Sequence, residues 1–154
     1  MTPQNKVLDI AHIIRILPHK PPAVLVDRVI EVEPGERILA LKNFTANEPY
    51  LSGHFPGLPI MPATVLIEIG LQVCCLLAYA TESYSPANTV VFLRGMKKAN
   101  FHRSVFPGDT LEIEAKLGLK RSNVWRFDTA MYVQNQKIAE FELGLSLHER
   151  DSIL

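Results

Sequence analysis

The sequence predicts an α+β fold in which a curled antiparallel sheet wraps around one long buried helix. Residues 63–80 are apolar on nearly every face, which is the pattern of a helix that is packed on all sides. Several segments outside this stretch alternate apolar and polar residues, or are rich in β-branched residues, over the length of a strand. A sheet that takes the helix on its concave face buries both elements.

The buried helix is expected to begin near Pro62. Pro56 and Pro59, together with Gly53 and Gly57, exclude regular structure from the segment before it. Proline itself is tolerated in the first turn of a helix, because the N–H that it lacks would have no partner there. We therefore predict a rigid loop that leads directly into the helix.

Three polar residues interrupt the apolar helix, and they lie on one line along it. Thr64, Glu68 and Gln72 are spaced i, i+4, i+8. This spacing predicts a carboxylate in an apolar wall, where burial raises the pKa and favours a protonated or paired carboxyl group. His54, on the preceding loop, is the second titratable candidate. A histidine and a buried acid together indicate general acid–base chemistry.

A short helix and five or six strands complete the predicted fold. Residues 9–17 form an amphipathic helix that Asp9 caps and Pro18 ends. The strands are predicted at residues 23–33, 37–45, 89–101, 110–119, 124–133 and 138–147, with turns at Pro34-Gly35 and near residues 134–137. A single sheet cannot enclose a helix that is apolar all round, so a second protomer is expected to cover it.

Size and charge limit the classes of function. The 154 residues suit one domain, which we expect to span residues 1–154. Sixteen basic and sixteen acidic residues give a formal net charge of zero, so there is no bulk attraction to nucleic acid or to a membrane. The most apolar run, residues 73–80, is too short to span a bilayer, and no signal peptide is apparent. We expect a soluble cytoplasmic protein with no membrane span.

Other chemistry finds little support in the sequence. Cys74 and Cys75 are adjacent in the apolar helix and are interpreted as small core residues. No pair of histidines or cysteines has the spacing of metal ligands, and no serine lies in a nucleophile elbow, so we expect no metal site. The remaining histidines are interpreted as local hydrogen-bonding residues: His12, His19, His102 and His148.

The loop and helix resemble the 3-hydroxyacyl-acyl-carrier-protein dehydratases, which have a hot-dog fold. The family's loop pattern His-Phe-Pro-Gly-x-Pro-x-Met-Pro-Gly corresponds to residues 54–63, and its acid and glutamine correspond to Glu68 and Gln72. The resemblance also covers Leu-Pro-His-Lys at residues 17–20 and the Lys-Ala-Asn-Phe and Pro-Gly-Asp segments at residues 98–101 and 107–109. It runs from about Leu17 to the last strand.

The resemblance implies roles for individual residues. His54 would abstract the α-proton and Glu68 would protonate the departing hydroxyl, while the main-chain N–H of Ala63 would stabilise the thioester oxygen. Gln72, Phe55 and Phe92 are assigned to substrate positioning. The two catalytic residues of a site would come from different protomers, so we expect a homodimer, a trimer of dimers or a heterodimer with a related subunit.

Several positions depart from the family pattern and concern the substrate. Ala63 replaces a glycine, Ile69 and Gly70 redistribute bulk beside Glu68, and Phe92 falls where the family often has a tyrosine at the tunnel. Pro21 and Ala23 stand where aromatic residues are common in the family. We therefore hypothesise a specialised acyl or polyenoyl chain. A single methylene discriminates by only about 1–3 kcal/mol, so a shifted preference is expected.

The implied partner is an acidic acyl carrier protein, whose phosphopantetheine arm carries the substrate, with no other cofactor. A basic cluster could receive it: Arg94, Lys97, Lys98, His102 and Arg103. An ordinary solvated strand end explains these charges equally well. Two other functions remain open, a hot-dog thioesterase and a non-catalytic partner subunit. The sequence leaves acyl length and pathway undetermined; a glutamate at position 68 goes, in the resembling family, with dehydration and no isomerisation.

Overall fold

A computed structural model describes residues 7–153 and contains two α-helices and six strands. Helix α1 is Ile10–Ile16 and helix α2 is Ala63–Thr81. The strands are β1 Arg28–Glu33, β2 Arg37–Asn43, β3 Thr89–Phe101, β4 Thr110–Arg121, β5 Val124–Val133 and β6 Gln136–Glu149. Short 3₁₀ turns occupy Pro49–Ser52 and Arg150–Ser152.

The six strands form one sheet, in the order β1-β2-β4-β5-β6-β3, and every neighbouring pair is antiparallel. The prediction of an antiparallel sheet around a long helix is therefore confirmed, with six strands. The order leaves β1 at one edge and β3 at the other. Leu8 bridges to Val29 of β1 and partly covers the first edge. Strand β3, the last in the sheet order, pairs only with β6.

Helix α2 lies in the core of the sheet, as its apolar composition predicts. All residues from Ile69 to Tyr79 are buried. Gly70 permits a close approach to the sheet, because a Cβ at this position would lie 2.8 Å from Cε2 of Phe141 and 3.2 Å from Cε of Met131. The helix begins where the sequence predicts, with Pro62 as its N-cap.

The first predicted strand is longer than the observed one, and Gln72 provides the reason. Residues 23–27 precede β1 and are not part of it. The Gln72 side chain donates to the Ala23 carbonyl (2.8 Å) and accepts from the Leu25 N–H (2.9 Å). Backbone groups that would pair with a strand are thus satisfied by a side chain of α2.

The other boundaries lie close to the predictions. Strand β2 ends at Asn43 instead of Thr45, since the Phe44 N–H bonds to the Asp109 carbonyl at 2.9 Å. Strand β6 extends beyond the predicted residues 138–147 at both ends. Gln134 and Asn135 have φ values of 48° and 63°, which is the conformation of a two-residue hairpin turn, so the predicted β5–β6 hairpin is confirmed. Asp9 caps α1, and its side chain accepts from the His12 N–H.

Helix α2 is long and apolar enough to cross a membrane by composition alone, with a mean hydropathy of 1.9. However, 67% of that window is buried inside the chain. The sheet takes up the apolar faces of α2, which is the arrangement of a core helix.

Candidate active site

The loop that carries His54 is supported by a compact scaffold on its amino-terminal side. The buried Lys42 and the partly buried Glu48 form an ion pair of 2.8 Å immediately before the 3₁₀ turn Pro49–Ser52. Tyr50 of this turn stacks on Phe44 at a centroid distance of 6.3 Å, and burial raises the pKa of its hydroxyl. His54 therefore follows a fixed segment of backbone.

The imidazole of His54 is oriented by one hydrogen bond to its own loop. Its Nδ1 lies 3.1 Å from the Ile60 carbonyl oxygen, and a carbonyl oxygen can only accept. The proton must therefore be on Nδ1, which leaves Nε2 with a free lone pair in the neutral ring. The ring also stacks on Phe55 at 4.0 Å. In the neutral ring, Nε2 is therefore the nitrogen that is free to accept a proton.

The loop closes on itself before it enters α2. The Phe55 N–H donates to the Leu58 carbonyl and the Leu58 N–H donates to the Phe55 carbonyl, both at 2.8 Å. Gly57 has a φ of 76°, the left-handed region that this tight turn requires. Farther on, the buried Met61 donates its N–H to the Val105 carbonyl at 3.0 Å. Both ends of the loop are therefore fixed.

The start of α2 presents free hydrogen-bond donors. Ala63 and Thr64 are the first helical residues, and both are exposed. Their N–H groups make no hydrogen bond to any residue between 7 and 153, as expected for the first turn of a helix. These donors, together with the positive end of the helix dipole, can stabilise an oxyanion.

Glu68 lies one turn farther along α2 and is less enclosed than the sequence suggested. Its side chain is 39% exposed in the single chain, so the apolar wall predicted for it is incomplete. One carboxylate oxygen, Oε1, accepts a hydrogen bond of 2.9 Å from Nε2 of Gln72. The i, i+4 line predicted along the helix is thus a direct contact.

Gln72 is fully buried, with 0% exposure. Its amide nitrogen donates to Glu68 and to the Ala23 carbonyl, while its oxygen accepts from the Leu25 N–H. Both donor hydrogens are therefore used within the chain. In this position Gln72 links the carboxylate of Glu68 to the segment that precedes β1.

His19 also lies beside Glu68, which the sequence analysis missed by treating it as a local hydrogen-bonding residue. Its Nε2 is 3.4 Å from Oε1 of Glu68. The two residues are far apart in the sequence, and neither periodicity nor spacing links them. The only available signal was the Leu-Pro-His-Lys segment of the family resemblance.

His54 and Glu68 share no hydrogen bond or ion pair within the described part of one chain. The two aromatic residues assigned to substrate positioning lie on other elements than Glu68. Phe55 is exposed and stacks on His54, whereas Phe92 is exposed on β3, with its ring 5.7 Å from that of His148. Phe92 pairs with Ser146 across the strands.

The basic residues assigned to the carrier protein lie on or just after β3, and all are exposed. Two members of the cluster are near carboxylates of β6: Lys98 Nζ lies 3.7 Å from Glu142 and His102 Nε2 lies 3.4 Å from Glu140. Over residues 7–153, no ion pair involves Arg94, Lys97 or Arg103. An open depression of about 240 Å³ borders Arg94 and Lys97.

The two cysteines are core residues, as predicted. Both are fully buried, and Cys74 Sγ lies 3.5 Å from the Thr129 hydroxyl. Burial raises the pKa of Cys74 to about 12 and that of Cys75 well above its ordinary value. Within the described range, no group of three or more potential ligands could hold a metal ion.

The sequence matches a family model and several curated proteins. The model for the FabA-like domain matches residues 17–142. A protein named 3-hydroxyacyl-[acyl-carrier-protein] dehydratase FabZ from Myxococcus xanthus is 37% identical over 145 residues, covering 94% of this chain and 95% of that protein. Its namesake from Rickettsia akari is 40% identical, covering 94% of this chain and 99% of that protein.

Solved structures share the fold. The dehydratase heterocomplex ApeI:P from Xenorhabdus doucetiae superposes with a TM-score of 0.79 at 18% identity, covering 92% of this chain and 93% of that one. The PaaI protein of E. coli superposes with a TM-score of 0.60 at 17% identity, covering 79% of this chain and 78% of that one. These likenesses confirm a hot-dog fold. The family match and the curated relatives, which extend over nearly the full length, show that the chain belongs to the 3-hydroxyacyl-acyl-carrier-protein dehydratase family.

Proposed function

We propose that this chain dehydrates (3R)-3-hydroxyacyl chains on acyl carrier protein to trans-2-enoyl chains, in the biosynthesis of fatty acids or related acyl products. The observation that carries the proposal is the 3.1 Å contact between His54 Nδ1 and the Ile60 carbonyl oxygen, since it requires the proton on Nδ1 and leaves Nε2 as the base. A positioned general base of this kind contributes about 100- to 10,000-fold to the rate.

The reaction uses both titratable residues. His54 Nε2 takes the proton from the α-carbon, and the electron pair of that bond forms the new carbon–carbon double bond. The β-carbon–oxygen bond breaks, and the hydroxyl leaves as water with a proton from Glu68. The Glu68 side chain is 39% exposed in the single chain, so a bound substrate can reach its carboxyl group.

The thioester oxygen gains negative charge as the α-proton is removed. The N–H of Ala63 has no partner among the described residues and lies at the positive end of the α2 dipole. A backbone N–H is kept when alanine replaces glycine, so the departure at position 63 preserves this donor. The added methyl group of Ala63 narrows the space through which the thioester reaches the start of α2.

We propose that the active form is a dimer that joins β3 of each protomer at the sheet edge. Strand β3 is long, it pairs only with β6, and it leaves Phe92, Leu93, Met96 and Phe101 exposed. An exposed, apolar edge strand of this length is usually covered by another chain. In such a dimer, His54 of one protomer faces Glu68 of the other; trimers of dimers or a related subunit as partner are variants of this arrangement.

We propose that an acidic acyl carrier protein docks on the basic residues of β3. Arg94, Lys97 and Arg103 support this role, since none of them is paired with a carboxylate in the described chain, whereas Lys98 is near Glu142. The phosphopantetheine arm of the carrier brings the substrate, and the chemistry uses no other cofactor. The proposal places the enzyme in the cytoplasm, with residues 1–154 acting as one domain.

The natural substrate in this proposal is a specialised or polyunsaturated acyl chain. Gly70 is matched to Phe141, whose ring fills the space of a larger side chain at position 70. Ile69 is buried, Ala63 is exposed at the helix start and Phe92 lies near the sheet edge. Together these residues give the acyl path a different shape from one that has glycine at position 63 and a tyrosine at position 92.

The purified protein alone, assayed with a 3-hydroxyacyl carrier thioester, tests the activity. Formation of the trans-2-enoyl product supports the proposal, and this product is expected without its cis-3 isomer. Release of free carrier thiol would identify a thioesterase instead. If neither product forms until a related dehydratase subunit is added, the chain is a partner subunit.

Light scattering tests the dimer. We expect a mass at least twice the 17.3 kDa of the chain at micromolar concentration. Met96→Lys places a charge on the exposed edge of β3 and should lower both the mass and the activity. Lys120→Met lies on β4, which is far from that edge in the sheet order, and should change neither the mass nor the activity. Full activity at the mass of one chain would contradict the shared site.

A further inference from the structure

We infer that His19 is a positioning residue that, together with Gln72, fixes which oxygen of Glu68 delivers the proton. This inference rests on the proposed dehydration, in which Glu68 is the acid. It adds a residue to the acid side of the reaction, whereas the sequence assigned only Glu68 to that side.

The surroundings of the His19 ring indicate which of its nitrogens carries the hydrogen. Its side chain is 25% exposed, and Nε2 lies 3.4 Å from Oε1 of the glutamate. Its other nitrogen, Nδ1, is buried and has no hydrogen-bond partner among residues 7–153. An imidazole whose Nδ1 is buried without an acceptor is best accommodated when Nδ1 carries no proton, since a buried donor without a partner is costly. Nε2 then carries the hydrogen that faces Glu68.

One N–H group thus donates to Oε1 of Glu68, and the ring of His19 lies close to the same oxygen. Gln72 Nε2 donates to Oε1 at 2.9 Å, and His19 Nε2 approaches the same Oε1. In a protonated carboxyl group, the oxygen that accepts from N–H groups is the carbonyl-type oxygen. When Glu68 carries the proton in the proposed reaction, that proton is therefore on Oε2, the oxygen to which neither N–H group is directed. Gln72 and His19 thus determine which oxygen faces the substrate, which is the preorganisation that acid catalysis requires.

The backbone around His19 is held firmly enough for this role. Leu17 is fully buried, and Lys20 Nζ donates to the carbonyls of Ile14 and Leu17 at the end of α1. On the other side, Gln72 bonds to Ala23 and to Leu25. The segment that contains His19 is thus tied to α1 through Lys20 and to α2 through Ala23 and Leu25. The contact at 3.4 Å can shorten when substrate closes the site.

The test compares two leaving groups. A hydroxyl needs a proton to depart as water, whereas chloride departs without one. A 3-chloroacyl carrier thioester loses hydrogen chloride on the enzyme. His54 takes the α-proton, the electron pair of that bond forms the double bond, and chloride leaves with the electron pair of the carbon–chlorine bond. A defect confined to the acid appears with the 3-hydroxyacyl substrate and disappears with the 3-chloroacyl substrate, after the uncatalysed elimination has been subtracted.

The variants are His19→Leu, which lacks a donor, His19→Asn, whose amide is too short, and His19→Gln, whose amide reaches the position of Nε2. We expect His19→Leu and His19→Asn to lower kcat for the hydroxyl substrate by roughly 10- to 100-fold, as for a misplaced catalytic group, with KM changed by less than about threefold. Both should keep chloride elimination near the wild-type rate. His19→Gln should recover most of kcat.

Reference variants separate the inference from the proposed function. Glu68→Gln should show the same split between the two substrates, and His54→Ala should lose both reactions. If these references behave so while the His19 variants stay at the wild-type rate, or lose both reactions equally, the inference is wrong and the dehydratase mechanism stands. If Glu68→Gln shows no split, the acid role fails and the inference fails with it.

Discussion

The first turns of α2, from Ala63 to Glu68, are open to solvent on one side, whereas the residues from Ile69 to Tyr79 are enclosed by the sheet of the same chain. Both parts are almost entirely apolar in sequence. The open part contains the free N–H donors and the glutamate. The enclosed part contains the two cysteines and Gly70. One apolar helix thus has an open end and an enclosed end.

The titratable groups illustrate the difference between these ends. Glu68 is 39% exposed, so a bound molecule can reach its carboxyl group. Cys74 is fully buried, and burial raises the pKa of its thiol to about 12. The enclosed end therefore keeps its titratable groups neutral at physiological pH. Changes at the open end should alter catalysis, and changes at the enclosed end should alter stability.

The largest effect is expected at the open end of the helix and on its loop. His54→Ala and Glu68→Gln should each reduce kcat for dehydration by about 100-fold or more, since the two groups act as a unit. Neither change creates a core cavity, so the midpoint temperature of thermal unfolding should change little. Steady-state kinetics and calorimetry give the two readouts.

The matched controls for these variants are His12→Ala and Glu112→Gln, both at exposed positions away from the site. Each control should retain wild-type kcat. Near wild-type turnover in either the His54 or the Glu68 variant would remove that residue from the catalytic pair.

The next effect is on stability at the enclosed end. Gly70→Ala would normally stabilise a helix interior by about 1 kcal/mol. Here the new Cβ would lie 2.8 Å from the ring of Phe141, so we expect the free energy of unfolding to fall by about 1–3 kcal/mol instead. Denaturant unfolding at a fixed protein concentration measures it.

A double-mutant cycle isolates the contact. Phe141→Leu removes the ring atoms that crowd position 70, so Gly70→Ala should be stabilising, or nearly neutral, in that background. The same loss of stability in both backgrounds would show that Phe141 does not limit the size of residue 70.

A smaller effect is expected from the buried thiols at high pH. Cys74 keeps its proton in the folded chain up to a pKa of about 12, while the unfolded chain releases it near 9.0. The unfolded state therefore binds fewer protons above pH 9, and the free energy of unfolding should fall as pH rises from about 9 toward 12, by roughly 1.4 kcal/mol per pH unit. Below pH 9 this contribution is constant.

Urea unfolding at pH 8 and pH 10 measures the slope. The Cys74→Ala variant should be less stable overall but should lose less stability between these two pH values. An unchanged slope in the variant would assign the pH dependence to other groups.

The smallest effect is expected from Ala63→Gly. Removing one methyl group at the start of α2 widens the approach of the thioester, and such a change is worth about 1–3 kcal/mol at most between substrates. We expect the profile of kcat/KM over acyl length and unsaturation to shift while the maximal rate is retained. Measuring kcat/KM with saturated and polyunsaturated 3-hydroxyacyl carriers of several lengths gives this profile.

The same flat profile over saturated chains in the wild type and in Ala63→Gly, without any preference for unsaturated chains, would contradict a specialised substrate. The substitutions at Ala63, Ile69, Gly70 and Phe92 would then have no bearing on specificity.

Much of the fold was predictable from sequence, because the relevant interactions are local. The start of α2 follows from the proline before it, and the β5–β6 hairpin follows from its polar turn between two alternating strands. The strands at Thr89–Phe101 and Val124–Val133 have the predicted bounds. The first strand was predicted too long. Its apolar sequence does not indicate that the Ala23 carbonyl and the Leu25 N–H bond to the side chain of Gln72 instead of to another strand.

The sequence by itself determined the chemical groups of the candidate site: the histidine on a proline-rich loop, and the acid and the glutamine four residues apart on one helix face. These relations depend on short spacings, which helix and turn geometry convert directly into positions. Only the tertiary structure decided how far Glu68 is exposed and that His19 lies beside it. It also decided that the amide of Gln72 forms hydrogen bonds with the backbone of Ala23 and Leu25. Those contacts join segments that are distant in the chain, and no local periodicity encodes how distant segments pack together.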